Sequence, residues 1–435
     1  MKELTRHDPY AALRIRDFRL LTLGSFVSNF GWQMLTVAVG WEIYLRTHAA
    51  FALGIVGLVE VLPVMLLALP AGHAADRFDR RRVVVLCQIV LGAASLGLAL
   101  LSAERGPLAL IYACLLLLGV GTAFNSPAGS TLIADIVPEQ HFANAASWDS
   151  SIGQLSSVLG PAFGGLLIAL RHSATGIYLL NALAAGIFVL LLALIRAKPR
   201  MRAPEAASLG SLLAGIGFLR RSPVLLAALT LDLFGVFLGG AVTLLPIFAL
   251  DILKVGATGL GILQAAPSLG AVAMALVQTR LPPWRKAGRA LLVAVASFGF
   301  ATVVFGVSHN FLISLVALAV LGACDNISVI IRHTLLLTRV PDEMRGRIAA
   351  VNYVFIGGSN ELGGFESGLI AAFVGPVLAV VGGGIGTVLV VALVAFVWPE
   401  LRGLGRLDQR EEAAMPDSTV GAEPAAARQL DRIGL

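Results

Sequence analysis

The sequence predicts an all-α membrane protein with about twelve transmembrane helices in two pseudo-symmetric six-helix bundles. Three observations lead there. The 435 residues are 57% hydrophobic and only 13% charged, with a mean hydropathy of +0.86, which is too apolar for a soluble chain of this length. The apolar residues fall into long runs near the roughly 20 residues that a spanning helix needs. Finally, the basic residues collect between alternate runs. The formal net charge is +6, and the clustering of Lys and Arg in short inter-run segments assigns that charge to membrane topology and not to a nucleic-acid surface.

The first run, 18–44, follows a basic leader of Lys2, Arg6, Arg14, Arg16 and Arg19, so no cleavable signal is expected. The second, 51–74, ends in a burst of charge, and the third, 82–102, begins directly after it. Run 108–134 starts past Gly106 and Pro107; 143–170 and 174–196 are parted by Arg171 and His172. A linker from Lys198-Pro199-Arg200 then separates two sets of six, and Leu209, Leu212, Leu213, Ile216 and Leu219 recur in it at helical spacing, as in a short amphipathic interfacial helix. The second set comprises 223–250, 257–279, 288–307, 311–338, 347–373 and 377–398. The organisation expected is a cytoplasmic leader (1–17), an N-terminal bundle (18–197), a cytoplasmic linker (198–222), a C-terminal bundle (223–400) and a disordered cytoplasmic tail (401–435). With 27 of the 32 Lys and Arg residues on one side, four (Arg46, Arg105, Arg171, Lys254) on the other and Arg332 inside a span, both termini are placed in the cytoplasm.

The two sets repeat one another. Val137-Pro138-Glu139 and Val340-Pro341-Asp342 precede the fifth and eleventh spans at an offset of 203 residues, and the same offset superposes Gly160 on Gly363, Gly165 on Gly368 and Leu166 on Leu369.

The charged loop after the second span, Gly72-His73-Ala74-Ala75-Asp76-Arg77-Phe78-Asp79-Arg80-Arg81-Arg82, resembles the loop between helices two and three of the major facilitator superfamily, with Ala74 and Asp79 in place of that family's usual Leu and Gly. Gly160-Pro161-Ala162-Phe163-Gly164-Gly165 resembles the exporter and antiporter motif of the fifth helix. Its glycines let helices approach closely, and Pro161 removes one backbone hydrogen bond. Segments Ser211–Gly215, Ser222-Pro223 and Pro341–Arg347 extend the likeness to the branch that contains bacterial siderophore exporters. The resemblance implies a secondary transporter of the bacterial inner membrane that exports a small organic molecule by proton antiport, with a siderophore-like or drug-like cargo. A broad multidrug pump or a transport-inactive sensor of the same fold are the alternatives. The Arg that many proton antiporters carry on helix four is absent between Gly119 and Asp135.

Within the spans, ionisable residues are costly and therefore suspect. Asp149, Asp232, Asp325, Arg332, Glu361 and Glu366 are the candidate coupling or cavity charges. Glu42 and Glu60 rank lower because they lie closer to the outer interface. Glu361 and Asp325 fall about halfway across, where a carboxyl group could bind and release the coupling proton. Asp232 and Arg332 lie at matching depth and are expected to pair, the alternative being an Arg332 that reaches out to lipid phosphates. In the charged loop, Gly72, Asp76, Arg77, Arg80 and Arg81 form the expected gate. There Asp76 faces the positive end of the eleventh helix, or else pairs with Arg80 or Arg81. Cys87, Cys114 and Cys324 form no metal-spaced pair, and no phosphate-binding or hydrolase motif occurs. The expectation is a non-enzyme without cofactor, metal or nucleic-acid partner, acting as a monomer on its cargo, protons and the bilayer.

Overall fold

A computed structural model describes residues 8–196, 216–282 and 284–405. Twelve long helices carry the fold: α1 Arg16–Thr47, α2 Ala50–Arg77, α3 Arg80–Ala103, α4 Leu108–Ile136, α5 Phe142–Arg171, α6 Thr175–Leu194, α7 Pro223–Leu238, α8 Gly256–Gln278, α9 Ala287–Val307, α10 Phe311–Arg339, α11 Asp342–Val374 and α12 Pro376–Val397. Ten of these spans are long and apolar enough to cross a membrane, α7 being counted with its continuation to Ile252. The remaining two, α1 and α11, have 32 and 33 residues and carry more polar side chains. At the 203-residue offset Leu108–Ile136 falls directly on Phe311–Arg339, so the repeat seen in a few glycines extends to whole helices.

Helix ends follow local chemistry. Asp79 caps α3 by accepting a hydrogen bond from the Arg81 N–H, and Asn310 caps α10 by accepting from Leu312 and Ile313. His48 and His172 end α1 and α5 in the left-handed region. The seventh span differs from the single continuous helix expected. It stops at Leu238, and a 3-10 turn (Ala241–Leu244), one α-turn (Leu245–Ile247) and a π-turn (Phe248–Ile252) carry the chain onward. Gly239 and Gly240 at the break and Pro246 beyond it, which lacks an N–H, account for the interruption.

Ahead of α1, the leader packs against α5. The Asn144 side chain accepts from the Ala12 N–H at 2.9 Å, and the Trp148 indole donates to the Pro9 carbonyl at 3.0 Å. Residues 216–221 are helical and Leu219 is buried in the C-terminal half, while Leu209, Leu212 and Leu213 lie outside the described residues. At the other terminus, Leu401 and Leu404 are buried, and Ala287 and Gly288 of α9 donate to the carbonyls of Gly405 and Leu404. The folded part of the C-terminal half therefore continues several residues past 400, because these two leucines have an apolar seat beside α9.

The two halves share one apolar core at the end of the bundle remote from the termini, where residues of both meet, among them Tyr44, Leu53, Phe248, Leu260 and Ala371. At the end that carries the termini the described residues form instead two separate cores, one built from residues 12–195 and one from residues 219–404.

Candidate functional site

The remote seam is made by glycine. A Cβ on Gly165 of α5 would strike the Ala257 carbonyl and the Gly261 backbone of α8, and one on Gly368 of α11 would strike Gly54 and Ala50 of α2. These two glycines are equivalent under the repeat, so the seam is built twice. Their partners Gly160 and Gly363 seat α5 on α1 at Gln33 and Phe30, and α11 on α7 at Phe237. Gly164 rests on Met34 of α1, and Pro161, which lies inside a continuous α5, offers its carbonyl to the α8 side at Gly261. Small side chains at the helix motif therefore serve close backbone approach, within and between halves. Tyr44 of α1 adds a hydrogen bond to Asp251 of the other half at the same end.

At that seam two carboxyl groups face one another across the halves. A Cβ on Gly57 would lie 2.9 Å from the Glu361 carbonyl oxygen and 3.3 Å from its carboxylate Oε2. Glu60 stands three residues after Gly57 on the same face of α2, and the Glu361 carboxylate acts on it through space. Glu60 ranked low on depth alone. Depth does not show which helix a residue faces, and no repeat partner marked it. Glu366, the next candidate on α11, accepts from the Ser367 hydroxyl at 3.3 Å. Glu42 pairs with Arg46 one turn later; Arg46 also donates to the Gly106 carbonyl at 2.8 Å, so this pair ties helix ends together.

In the C-terminal half Asp232 Oδ1 and Arg332 Nη2 are 2.6 Å apart, with side chains only 7% and 4% exposed. This is the pairing that equal depth predicted, and a lipid-facing Arg332 is excluded by its burial. Arg332 Nε donates to Ser328 one turn earlier at 3.3 Å. Asp325 lies close enough that its charge and that of Arg332 interact. The group encloses a cavity of about 10 Å³, lined by Asp232, Asp325, Ser328, Gly235 and Phe298, which has room for about one water.

The same place in the N-terminal half is built differently. Subtracting 203 carries Asp232 to Asn29, Asp325 to Thr122, Ser328 to Asn125 and Arg332 to Gly129. All four line a crevice of about 380 Å³ between α1, α3, α4, α5 and α6, with Trp32 and Phe188 as aromatic walls and Asp149 as the one carboxyl group among its described lining residues. A second cleft of about 330 Å³ shares Asn29 and Trp32 and adds Gln33 and Ser157, which hydrogen-bond at 2.6 Å. Gln88 accepts from Ser28 at 3.3 Å and donates to Asn125 at 3.4 Å. Of this set only Asp149 was singled out from the sequence. The offset applied to Asp232 and Arg332 would have pointed to the rest.

The charged loop sits at the termini end. Arg80 pairs with Asp135 of α4 at 2.7 Å and donates to the Ala75 carbonyl, Arg81 donates to the Ala193 carbonyl at 2.8 Å, and Arg82 reaches Asp79. Arg80 and Arg81 thus staple α3 to α4 and α6, and not to Asp76, because the last turn of α4 brings a buried carboxylate within reach of Arg80. Gly72 has open space around it, Arg77 is exposed and Asp76 is half-buried. The side chains at 342–343, 345–347 and 349–356 on the facing α11 lie outside the described residues, and the expected contact of Asp76 with the start of α11 falls with them.

Residues 7–429 match the family described as transmembrane secretion effector. The chain is 29% identical over 392 residues to the enterobactin exporter EntS of Shigella flexneri, covering 88% of this chain and 92% of the relative. To the Escherichia coli protein of that name it is 30% identical over 399 residues with the same coverage. In fold it is similar to a bacterial homologue of the lysosomal transporter Spinster, with a TM-score of 0.70 at 16% identity over 89% of this chain and 98% of the other. The nucleoside transporter NupG follows with a TM-score of 0.67 at 13% identity, over 88% and 98% of the two chains.

Proposed function

The chain belongs to the transmembrane secretion effectors, a family of major facilitator transporters, and on that footing we propose that it exports a small organic molecule across the bacterial cytoplasmic membrane by proton-driven alternating access. The relatives, named as enterobactin exporters, support outward transport and a siderophore-like cargo, with a drug-like molecule as the alternative. Both termini lie in the cytoplasm in this reading, which follows the distribution of basic residues.

The single observation that carries it is the contrast between the two ends of the bundle. One shared core and two glycine seams close the remote end, while the termini end keeps two separate cores. A molecule built of two rigid bodies joined at one end is the state of an alternating-access device that receives cargo from the cytoplasm. Glu60 and Glu361 stand at the joint between those bodies. Two neighbouring carboxyl groups repel when both ionise, so proton loss there would part the outer seam. That links proton movement to the step that releases cargo, with Glu361 as the coupling residue and Asp325 held instead beside Arg332.

The test uses purified protein in liposomes, with a radiolabelled catecholate siderophore or a lipophilic dye and an imposed pH gradient. Gradient-driven movement of one of these is expected, and Glu361→Gln should abolish the gradient dependence while leaving cargo exchange intact. Absence of movement of any cargo in the wild type, with correctly folded protein, would overturn the export reading. Unaltered gradient dependence in Glu361→Gln would remove this coupling site. Asp76→Asn should raise thiol-labelling of the cytoplasmic cavity if Asp76 gates that side.

A further inference from the structure

We propose that the crevice of the N-terminal half is a cargo subsite for an uncharged aromatic group bearing hydroxyl or amide functions, and that it rejects anions. The inference rests on the transport reading above but concerns binding, which is measured separately. The first argument is space. The crevice of about 380 Å³ and the adjoining cleft of about 330 Å³ that shares Asn29 and Trp32 lie in the size range of small-molecule sites.

The lining supplies chemistry. Ser28, Gln88 and Asn125 are joined only by long bonds of 3.3 and 3.4 Å, and each amide retains donors and a carbonyl for a ligand. The indole of Trp32 and the ring of Phe188 border the same space, so a flat ring can lie on an aromatic wall while its polar edge meets the amides. Among the described residues no Lys, Arg or His lines the crevice, and its only ionisable group is the carboxyl of Asp149. An anion entering here would leave water without gaining a counter-charge, which is unfavourable in a partly desolvated site. Arg80, one turn before the lining Val84, offers no relief, because it is held by Asp135.

The repeat shows that this space is particular to one half. In the C-terminal half the same positions hold Asp232, Ser328 and Arg332 and leave only about 10 Å³. Arg332 stands where the N-terminal half has Gly129, and Gly129 has nothing within 4 Å of where its Cβ would be. A side chain grown from Gly129 therefore has room to fill the crevice without displacing a neighbouring helix.

The experiment titrates detergent-solubilised full-length protein with a matched pair, neutral 3-hydroxybenzamide and anionic 3-hydroxybenzoate, and follows tryptophan fluorescence, with Trp32→Phe to identify the reporter. Saturable quenching by the amide, at least tenfold tighter than by the benzoate, is expected. Gly129→Leu should weaken the amide at least tenfold while Gly186→Leu, on the exposed face of α6, leaves it unchanged. If Gly129→Leu does not fold, Asn125→Ala takes its place with the same expected loss. Equal binding of the two probes, no saturable binding of the amide, or undiminished binding in a folded Gly129→Leu or Asn125→Ala variant would overturn the subsite. Binding by a protein that moves no cargo in liposomes would refute export and leave the subsite standing.

Discussion

Both halves of this transporter bury an ion pair against the fourth helix of their own repeat, but at different depths. The C-terminal half places Asp232 and Arg332 between α7 and α10, within the bundle. The N-terminal half places Arg80 and Asp135 between α3 and α4, at the loop end. Under the 203-residue offset Asp135 falls on Thr338 and Arg332 on Gly129, so neither pair has a copy in the other half. One backbone plan has thus been given two fillings. Charge fixes the middle of the C-terminal half and leaves little room, whereas the N-terminal half pins its end and keeps its middle open, lined by amides and hydroxyls.

The largest expected effect falls on the filled side. Arg332→Gln strands Asp232 in a site where both side chains are over nine-tenths buried, and breaking such a pair typically costs about 3–5 kcal/mol. Thermal or denaturant unfolding in detergent should show that loss, and Asp232→Asn with Arg332→Gln together should lose much less than the two singles summed. Additive losses would mean that the charges stabilise the half independently, and the contrast between the halves would then be one of volume alone.

Arg80→Gln comes next. Its guanidinium also donates to the Ala75 carbonyl, and it lies nearer the membrane surface than Arg332. A charge-assisted bond of this kind contributes about 1.5–3 kcal/mol, and the loss should appear as lowered stability with the volume of the N-terminal crevice unaltered. A stability loss as large as that of Arg332→Gln would show that depth does not separate the two pairs.

The seam allows a test in which the halves should agree. Gly165→Ala and Gly368→Ala occupy equivalent places, and each new methyl meets backbone of the opposite half. Overpacking of this sort costs about 1–3 kcal/mol, against a gain of up to about 1 kcal/mol from replacing Gly in a helix. Both substitutions should therefore loosen the outer closure to a similar degree, read as faster thiol labelling of a cysteine placed at the remote end. A response confined to one of them would show that the two seams are not energetically equivalent.

Much of this was legible beforehand, and the reasons differ by feature. Span number and order follow from hydropathy, and the Asp232 and Arg332 pair follows from depth, because a buried charge needs a partner at its own level. The glycine seams were legible as a repeat, since close approach demands the smallest residue at fixed places. The break in the seventh span was missed because Gly239-Gly240 lies inside a run that is apolar on both sides, and hydropathy cannot separate one helix from two. Glu60 was undervalued because its significance comes from Glu361 on a helix far away in sequence. The amide-lined crevice escaped for a different reason. Asn, Gln and Ser in a span carry no charge to attract attention, and only comparison with the other half shows what they replace.

The smallest stability effect should come from the open side, at Asn29. This residue occupies the place of Asp232 but is exposed, and no cation stands among the described residues that line its crevice. Truncating it removes an amide that water already serves, so Asn29→Ala should fall within the roughly ±0.5 kcal/mol typical of surface changes. Asp232→Ala, the same truncation in the other half, should cost about 3–5 kcal/mol because Arg332 is left buried and unpaired. The ratio would reverse in binding. Asn29→Ala should weaken 3-hydroxybenzamide severalfold, since a ligand amide loses its partner, while a folded Asp232→Asn variant should bind the probe as the wild type does. Unfolding midpoints and titrations on the same preparations decide it. A strongly destabilised Asn29→Ala would make the crevice part of the core, and unchanged binding in that variant would move the ligand contacts to Gln88 and Asn125 on α3 and α4.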